Sequence, residues 1–250
     1  MIRVGVLGAA GRMGREVCRA VMAADDLELA AAVDPNNAGL EAEGLLVSAT
    51  LEHLQGVDVA VDFTLPSTVM PNVRWCLRNG IHAVVGTTGL TPADLDELRA
   101  ATDTANCVVA PNFALGAVLL LRFAADAARY FDAAEVIELH HDGKVDAPSG
   151  TAIATARAIA AARAGGWSAP EAVGQFPGAR GAEVDGVRVH AVRLPGLVAH
   201  EEVLFGGPGQ TLSLRHDTVD RAAFMPGVLL AIRAVSERPG LTVGLDALLD

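Results

Sequence analysis

Apolar and polar positions follow two different rhythms along this chain, and the change falls near Phe113. Before it, short continuous apolar runs recur at Ile2–Leu7, Glu28–Val33, Val57–Phe63, Ile81–Val85 and Cys107–Ala110. Such runs predict strands buried on both faces of a parallel sheet. Between them, Arg12–Ala24 sets Val17, Ala20, Val21 and Ala24 on one face at helical spacing. Thr91-Pro92-Ala93-Asp94 predicts a helix start with a capping box and a proline at its first position, and Gly80 predicts a helix end. Strand and helix thus alternate as in a doubly wound α/β fold.

After Phe113 the pattern predicts a helix over 117–130, a strand over Glu135–Leu139 and an Ala-rich helix from Thr151 to Ala164, stopped by Gly165-Gly166. A Gly/Pro-bearing loop to about Gly186 follows. Val187–Leu194, Glu201–Phe205 and Thr211–Arg215 then show alternating or mixed patterns, as in a sheet covered on one face only. A last helical pattern covers Ala222–Ser236. The expected class is α/β: a Rossmann-type doubly wound parallel sheet plus an α+β domain with an open mixed sheet.

Charge narrows the partners. The formal net charge of −11 argues against nucleic acid or an anionic membrane, whose phosphates need a basic surface. It also requires that any acidic ligand be held by local positive groups. The longest apolar run, Phe113 to Leu121, is too short for a membrane helix. The strand pattern begins at once and leaves no room for a signal peptide, so a cytoplasmic protein is expected. Cys18, Cys76 and Cys107 are widely spaced without a CxxC pair, which predicts reduced thiols and no metal site.

Two segments carry candidate chemistry. Gly8-Ala9-Ala10-Gly11-Arg12-Met13-Gly14 sits where a strand hands over to a helix, and its glycines allow a pyrophosphate to approach the helix N-terminus. Ala10 replaces the middle glycine of the usual motif, so the turn alone also fits a tight junction without a ligand. Asp34, about 20 residues on, is placed to accept from adenosine ribose hydroxyls; otherwise it is a turn residue before Pro35. A carboxylate there favours NADH, while Arg12 is a cation able to meet a 2′-phosphate, so NADPH is expected to be tolerated. Gly86-Thr87-Thr88-Gly89 and Ala110-Pro111-Asn112-Phe113 follow strands at the edge where open α/β sheets bind ligands. Taken singly, both are ordinary loops.

The second segment is His140-His141-Asp142-Gly143-Lys144, followed by Pro148-Ser149-Gly150-Thr151. Histidine titrates near neutral pH, Lys144 adds a fixed positive charge, and a helix start supplies unpaired N–H groups for a carboxylate. Each residue alone also reads as a surface or capping feature; their concentration within a dozen residues points to dicarboxylate binding with proton transfer.

The segment Glu138 to Ala152 resembles the signature of the 4-hydroxy-tetrahydrodipicolinate reductase (dihydrodipicolinate reductase) family. The likeness extends through Val4–Gly14, Val61-Asp62-Phe63-Thr64, Val84–Gly89, Ala110–Phe113 and Arg215-His216-Asp217. The short span between Asp34 and Val57 is similar to the family's actinobacterial branch. The resemblance implies an NADH- or NADPH-dependent reductase of the diaminopimelate route to lysine. It implies that His140 is the catalytic acid/base, Lys144 the proton donor, His141 a substrate contact, and Gly150 with Thr151 the grip on a substrate carboxylate. Gly8 to Met13, Asp34, Gly86 to Thr88 and Ala110 to Phe113 would bind the nucleotide. Residues 1–112 with 222–250 would form the dinucleotide domain, and 113–221 a substrate domain whose sheet builds a homotetramer. One departure stands out: Asp142-Gly143 replaces a third histidine or another polar group of many members, and Asp142 is expected to face solvent. Two rivals share the glycine turn: another Rossmann-type oxidoreductase acting on an amino acid or semialdehyde, and a non-catalytic nucleotide sensor. Both leave the histidine–lysine segment unexplained.

Overall fold

The computed structural model describes residues 1–163, 167 and 175–249. They divide into two compact units, Met1–Leu115 with Phe224–Asp250, and Gly116–Ala223.

In chain order the first unit holds β1 (Ile2–Leu7), α1 (Arg12–Met22), β2 (Leu27–Val33), a two-strand hairpin of β3 (Glu41–Ala42) and β4 (Leu45–Leu46), and β5 (Val59–Asp62). It continues with α2 (Pro66–Arg78), β6 (His82–Val85), α3 (Pro92–Ala101) and β7 (Cys107–Val109). Its main sheet runs β13-β7-β6-β5-β1-β2, all parallel, with β13 (Leu241–Val243) contributed by the end of the chain. The strand order reverses between β1 and β5, so the crevice at their carboxyl ends is the expected ligand site of such a sheet. Both faces are covered: Val69, Val73 and Leu77 of α2 pack with Ala83, Val85 and Leu98. This is why the strands read as unbroken apolar runs.

Helix punctuation follows the sequence. Thr91 caps α3, its hydroxyl accepting from the Asp94 N–H, and Asp94 returns the bond to the Thr91 N–H at 2.7 Å. Gly80, at φ +72°, ends α2. The C-terminal helix α6 (Met225–Ala234) closes the unit. Gly227 lies so close to the Phe113 carbonyl that a Cβ there would come within 2.1 Å of it. Arg233 is paired with Asp26, and the Asn106 amide donates to the Val235 and Ser236 carbonyls.

The second unit comprises most of α4 (Leu115–Ala128), then β8 (Ala133–His140), α5 (Gly150–Ala162), β9 (Ala182–Val184), β10 (Val187–Arg193), β11 (Ala199–Gly207) and β12 (Gln210–Thr218). Its sheet is mixed, in the order β12-β11-β8-β10-β9, with β8 and β10 parallel and the other pairs antiparallel. Ala134, Val136, Val189, Val203 and Phe205 face Ala124, Ala128, Ala156 and Ile159 in one core. Strand residues alternate buried and partly exposed along β8 and β11.

Four short strands depart from the sequence reading. The loop expected to reach Gly186 contains β9, joined to β10 through Asp185 (φ +48°) and Gly186 (φ +86°), a left-handed pair that suits the twist of a hairpin. Glu43 (φ +46°) and Gly44 (φ +82°) make the same kind of turn between β3 and β4. The sequence pattern assigns no element to the residues of β13. The helix stop at Gly165-Gly166 lies outside the described residues. Among the described residues no helix is long and apolar enough to cross a membrane.

Candidate active site

The glycine turn follows β1 directly. Gly8 has φ +76°, a conformation L side chains avoid, and a Cβ there would meet the Phe63 carbonyl at 2.7 Å. A Cβ on Gly14 would sit 2.0 Å from the Gly8 carbonyl oxygen, so the first turn of α1 lies against the loop backbone. Gly11 occupies the N-cap position of α1, where no side chain caps the helix and its first turn carries no acidic residue. An uncapped helix start of this kind suits a phosphate. Ala9 is buried, Ala10 and Met13 are partly so, and Arg12 is exposed.

Asp34 directly follows β2 and is largely buried; one carboxylate oxygen accepts from the Asn36 N–H at 3.2 Å. A cleft of about 400 Å³ lies between Gly8 and Gly11 on one side and Asp34 to Asn37 on another, with Phe63 and Thr64 also lining it. The uncapped helix, the cleft and the carboxylate at its wall together fit the adenosine and pyrophosphate half of a dinucleotide.

Asp62, at the carboxyl end of β5, organises the neighbouring loops. Fully buried, it accepts from the Thr64 N–H (2.9 Å), the Thr64 hydroxyl (2.7 Å), the Asn72 amide (2.9 Å) and the Thr87 hydroxyl (2.7 Å). Thr87 is thereby buried, whereas Thr88 is exposed. Gly86 lies under the Phe63 ring, which in turn packs on Phe113 at 5.8 Å between centroids. The Asn112 side chain accepts from the Ala114 N–H and holds the Ala110–Phe113 loop; Ala110 and Phe113 are buried and Pro111 is exposed.

In the second unit the chemistry gathers around a carboxylate. Glu138 points into the core from β8 with 0% exposure. It binds His140 Nδ1 at 2.6 Å and accepts from Arg193 Nη1 and Nη2, each at 2.8 Å, and from the Ser149 N–H at 3.0 Å. Burial pushes its pKa up, but the hydrogen bonds from Arg193, His140 and Ser149 outweigh burial and hold it below the usual range. His140 is shifted down from its ordinary value. Burial is the main cause, aided by the Lys144 and Arg193 charges and opposed by Glu138. In this state the ring is neutral at pH 7, with Nδ1 committed to Glu138.

Arg193 also donates from Nε to the Lys144 carbonyl (3.2 Å) and from Nη2 to the Asp146 carbonyl. It therefore pins the loop that carries Lys144. The Lys144 ammonium meets both oxygens of Asp146 at 2.7 and 2.8 Å. Ser149 caps α5 through the Ala152 N–H, Gly150 has open space where a Cβ would project, and Thr151 is partly exposed one residue on. His141 and Asp142 are exposed, Asp142 facing solvent as its sequence predicts.

The N-terminal model of the dihydrodipicolinate reductase family matches residues 2–113 and the C-terminal model residues 116–249. The chain belongs to this family. The 4-hydroxy-tetrahydrodipicolinate reductases of Nocardia farcinica and Mycolicibacterium vanbaalenii are 57% and 55% identical to it, covering 100% of this chain and 99% of each relative. The dipicolinate-bound dihydrodipicolinate reductase from Paenisporosarcina sp. TG-14 superposes with a TM-score of 0.87 at 41% identity, covering 99% of both chains.

In this reductase chain, four side chains central to the geometry carry no role in the sequence reading: Glu138, Arg193, Asp146 and Asp62. A signal for the first two was present. Glu138 continues the inward-facing series Ala134, Val136, and Arg193 lies on the neighbouring strand in the same alternation as the buried Val187 and Val189. A charge on a buried face needs a partner, and the opposite charge stood on the adjacent strand.

Glu201 is a further buried acid, directly opposite Glu138 across the β8–β11 pair. Burial raises its pKa to about 7; the nearby Thr155 hydroxyl opposes the shift and the Glu138 charge adds to it. A carboxyl whose folded pKa is raised is at its least costly below the unfolded value. It loses stability for the fold as pH rises through the folded value. Glu201→Gln is therefore expected to leave stability near pH 4.5 almost unchanged. At pH 8 it should raise stability by up to about 3 kcal/mol. Denaturant melts at the two pH values check this, and an equal effect at both would refute it.

Proposed function

We propose that the chain reduces 4-hydroxy-tetrahydrodipicolinate to tetrahydrodipicolinate with NADH or NADPH, in the diaminopimelate route to lysine. The observation that carries the reading is the loop from His140 to Thr151, in which an imidazole, the backbone of Lys144 and a helix N-terminus are all anchored to Glu138 and Arg193. Full-length kinship to relatives named for this reaction supports it. The dipicolinate in the Paenisporosarcina reductase supports a planar dicarboxylate as the ligand class.

The cofactor supplies a hydride when bound. The glycine turn (Gly8 to Met13) and the uncapped start of α1 would hold its phosphates, and Asp34 would take its adenosine ribose. Gly86, Thr87, Thr88 and Ala110 to Phe113 line the nicotinamide end. Asp34 favours NADH, and exposed Arg12 accommodates a 2′-phosphate, so both cofactors are used. Gly150 and Thr151 grip one substrate carboxylate through backbone N–H groups, with His141 beside them. Lys144 leaves Asp146 for the substrate, which offers a second carboxylate in place of the first. Loss of water from the hydroxylated substrate leaves an unsaturated ring; its C4 would receive hydride from the bound cofactor, and the Lys144/His140 pair would supply the one proton that completes the reduction.

Absorbance at 340 nm, with substrate made in place from pyruvate and aspartate semialdehyde by the preceding synthase, tests the reaction and compares the two cofactors. Lys144→Ala is expected to raise KM and lower kcat together, and His140→Gln to lower mainly kcat, by about 100-fold. Near wild-type turnover in Lys144→Ala would remove the assignment.

Proton linkage gives an independent check. Dipicolinate, a dianion, raises the pKa of the depressed His140, so binding takes up protons near pH 7 and tightens as pH falls toward 6. Calorimetry in buffers of different ionisation enthalpy reads this directly; proton release on binding would contradict it.

The second unit is also read as the assembly domain of a homotetramer. Ile137, Leu139, Val192 and Leu204 lie partly exposed between the buried positions of β8, β10 and β11, on a face that also carries Glu135, Arg188, His190 and Glu202, a mixed surface able to meet a second sheet. Sedimentation equilibrium should give the mass of four chains, and a monomer at micromolar concentration would rule the assembly out.

A further inference from the structure

We propose that Glu138 is the positioning residue of His140, fixing the imidazole as its Nδ1–H tautomer so that Nε2 is the one nitrogen left to exchange a proton with a ligand. The part of this concerning turnover rests on the reading of His140 as a proton-transfer group; the part concerning the tautomer does not.

The geometry follows from what each partner can be. Arg193 and the Ser149 N–H only donate, and together they occupy Glu138 Oε1 twice and Oε2 once. The fourth contact, from His140 Nδ1 to Oε2 at 2.6 Å, lies at the short end for a nitrogen–oxygen pair. A carboxylate only accepts, so Nδ1 must carry the hydrogen. The bidentate Arg193 fork keeps the carboxylate ionised and also stops it rotating away from the ring. Glu138 has no solvent contact through which water could compete.

Two consequences reach beyond the dyad. The same carboxylate holds the Ser149 backbone, so the ring and the first turn of α5 share one anchor. Arg193 extends the anchor to the Lys144 and Asp146 carbonyls. The charged and titratable groups facing His140 and its anchor are Glu138 on β8, Arg193 on β10, Lys144 on the loop, Glu201 on β11 and His216 on β12. Register places Glu201 opposite Glu138, and His216 opposite Glu201. Of these, Glu138 is the group bonded to the ring.

The decisive substitution is Glu138→Gln. It replaces one acceptor oxygen by an NH2 among three donors, and His140 is the one partner able to become an acceptor, by moving its hydrogen from Nδ1 to Nε2. The tautomer should therefore invert. Two-bond proton–nitrogen correlation spectra of the 15N-labelled full chain resolve the seven histidines, with His140 assigned by its loss in His140→Gln. The wild type is expected to show His140 as Nδ1–H above its pKa, and Glu138→Gln as Nε2–H. The His140 pKa should fall by about one unit in the variant, because a neighbouring negative charge is lost.

In steady-state assays Glu138→Gln should lower kcat by about ten- to a hundredfold with KM little changed. In a His140→Gln background kcat should fall almost no further, since the amide oxygen still accepts from the Ser149 N–H and Arg193 and the loss of turnover runs through the ring. An Nε2–H tautomer in the wild type overturns the proposal even if the variant does not fold. An unchanged tautomer in the variant, or an equal loss of kcat in both backgrounds, overturns it as well. A chain without turnover on the proposed substrate would defeat the functional reading and leave the tautomer result to decide this inference alone.

Discussion

The second unit is built around one costly placement, the Glu138 carboxylate in the buried interior. An isolated carboxylate there would be protonated or excluded. It stays ionised because Arg193, one strand away, meets it with both arms of its guanidinium, and because a backbone N–H and an imidazole fill its remaining sites. Every one of these partners belongs to the segment that carries the chemistry or touches it. Removing water from the carboxylate is therefore what orders the His140 ring, the start of α5 and the Lys144 loop at once.

The first unit uses the same device at the carboxyl end of its sheet. Asp62 is as deeply buried as Glu138, but its partners are neutral: two threonine hydroxyls, an amide and a backbone N–H. It ties the loop after β5, the helix α2 and the loop after β6 into one surface. Neutral donors around a carboxylate leave its negative charge uncancelled, which suits a scaffold placed behind a ligand rather than against its phosphates. The uncapped start of α1 is the better place for phosphates, since its backbone offers donors and its first turn carries no acidic side chain.

How much of this was legible depended on distance along the chain. His140, Lys144, Ser149, Gly150 and Thr151 stand within twelve residues, so composition alone announced them. The strands of the parallel sheet were legible because burial on both faces leaves unbroken apolar runs. Strands of two or three residues, β3, β4, β9 and β13, carry too few positions for any period. Only the Glu43-Gly44 and Asp185-Gly186 pairs marked the two hairpins. The Glu138–Arg193 pair spans 55 residues and depends on β8 and β10 lying side by side in parallel, which requires a crossover through α5. Local pattern shows a charge on a buried face; it does not show which charge answers it.

A chain of net charge −11 that takes a dianion has to store positive charge without paying for it in the empty state. The structure does so by pairing. Arg193 is neutralised by Glu138 in the core and Lys144 by Asp146 at the surface, while burial keeps His140 uncharged. The two ion pairs differ in a way that decides their roles. Glu138 is buried and shares its oxygens among four donors, so Arg193 is fixed. Asp146 is more than half exposed and holds Lys144 through a contact that water screens. An incoming carboxylate can replace Asp146 at little cost, and it cannot replace Glu138. Of these three cationic groups, Lys144 and a protonated His140 are the two that such a ligand could recruit. Arg193 remains the fixed point against which they move.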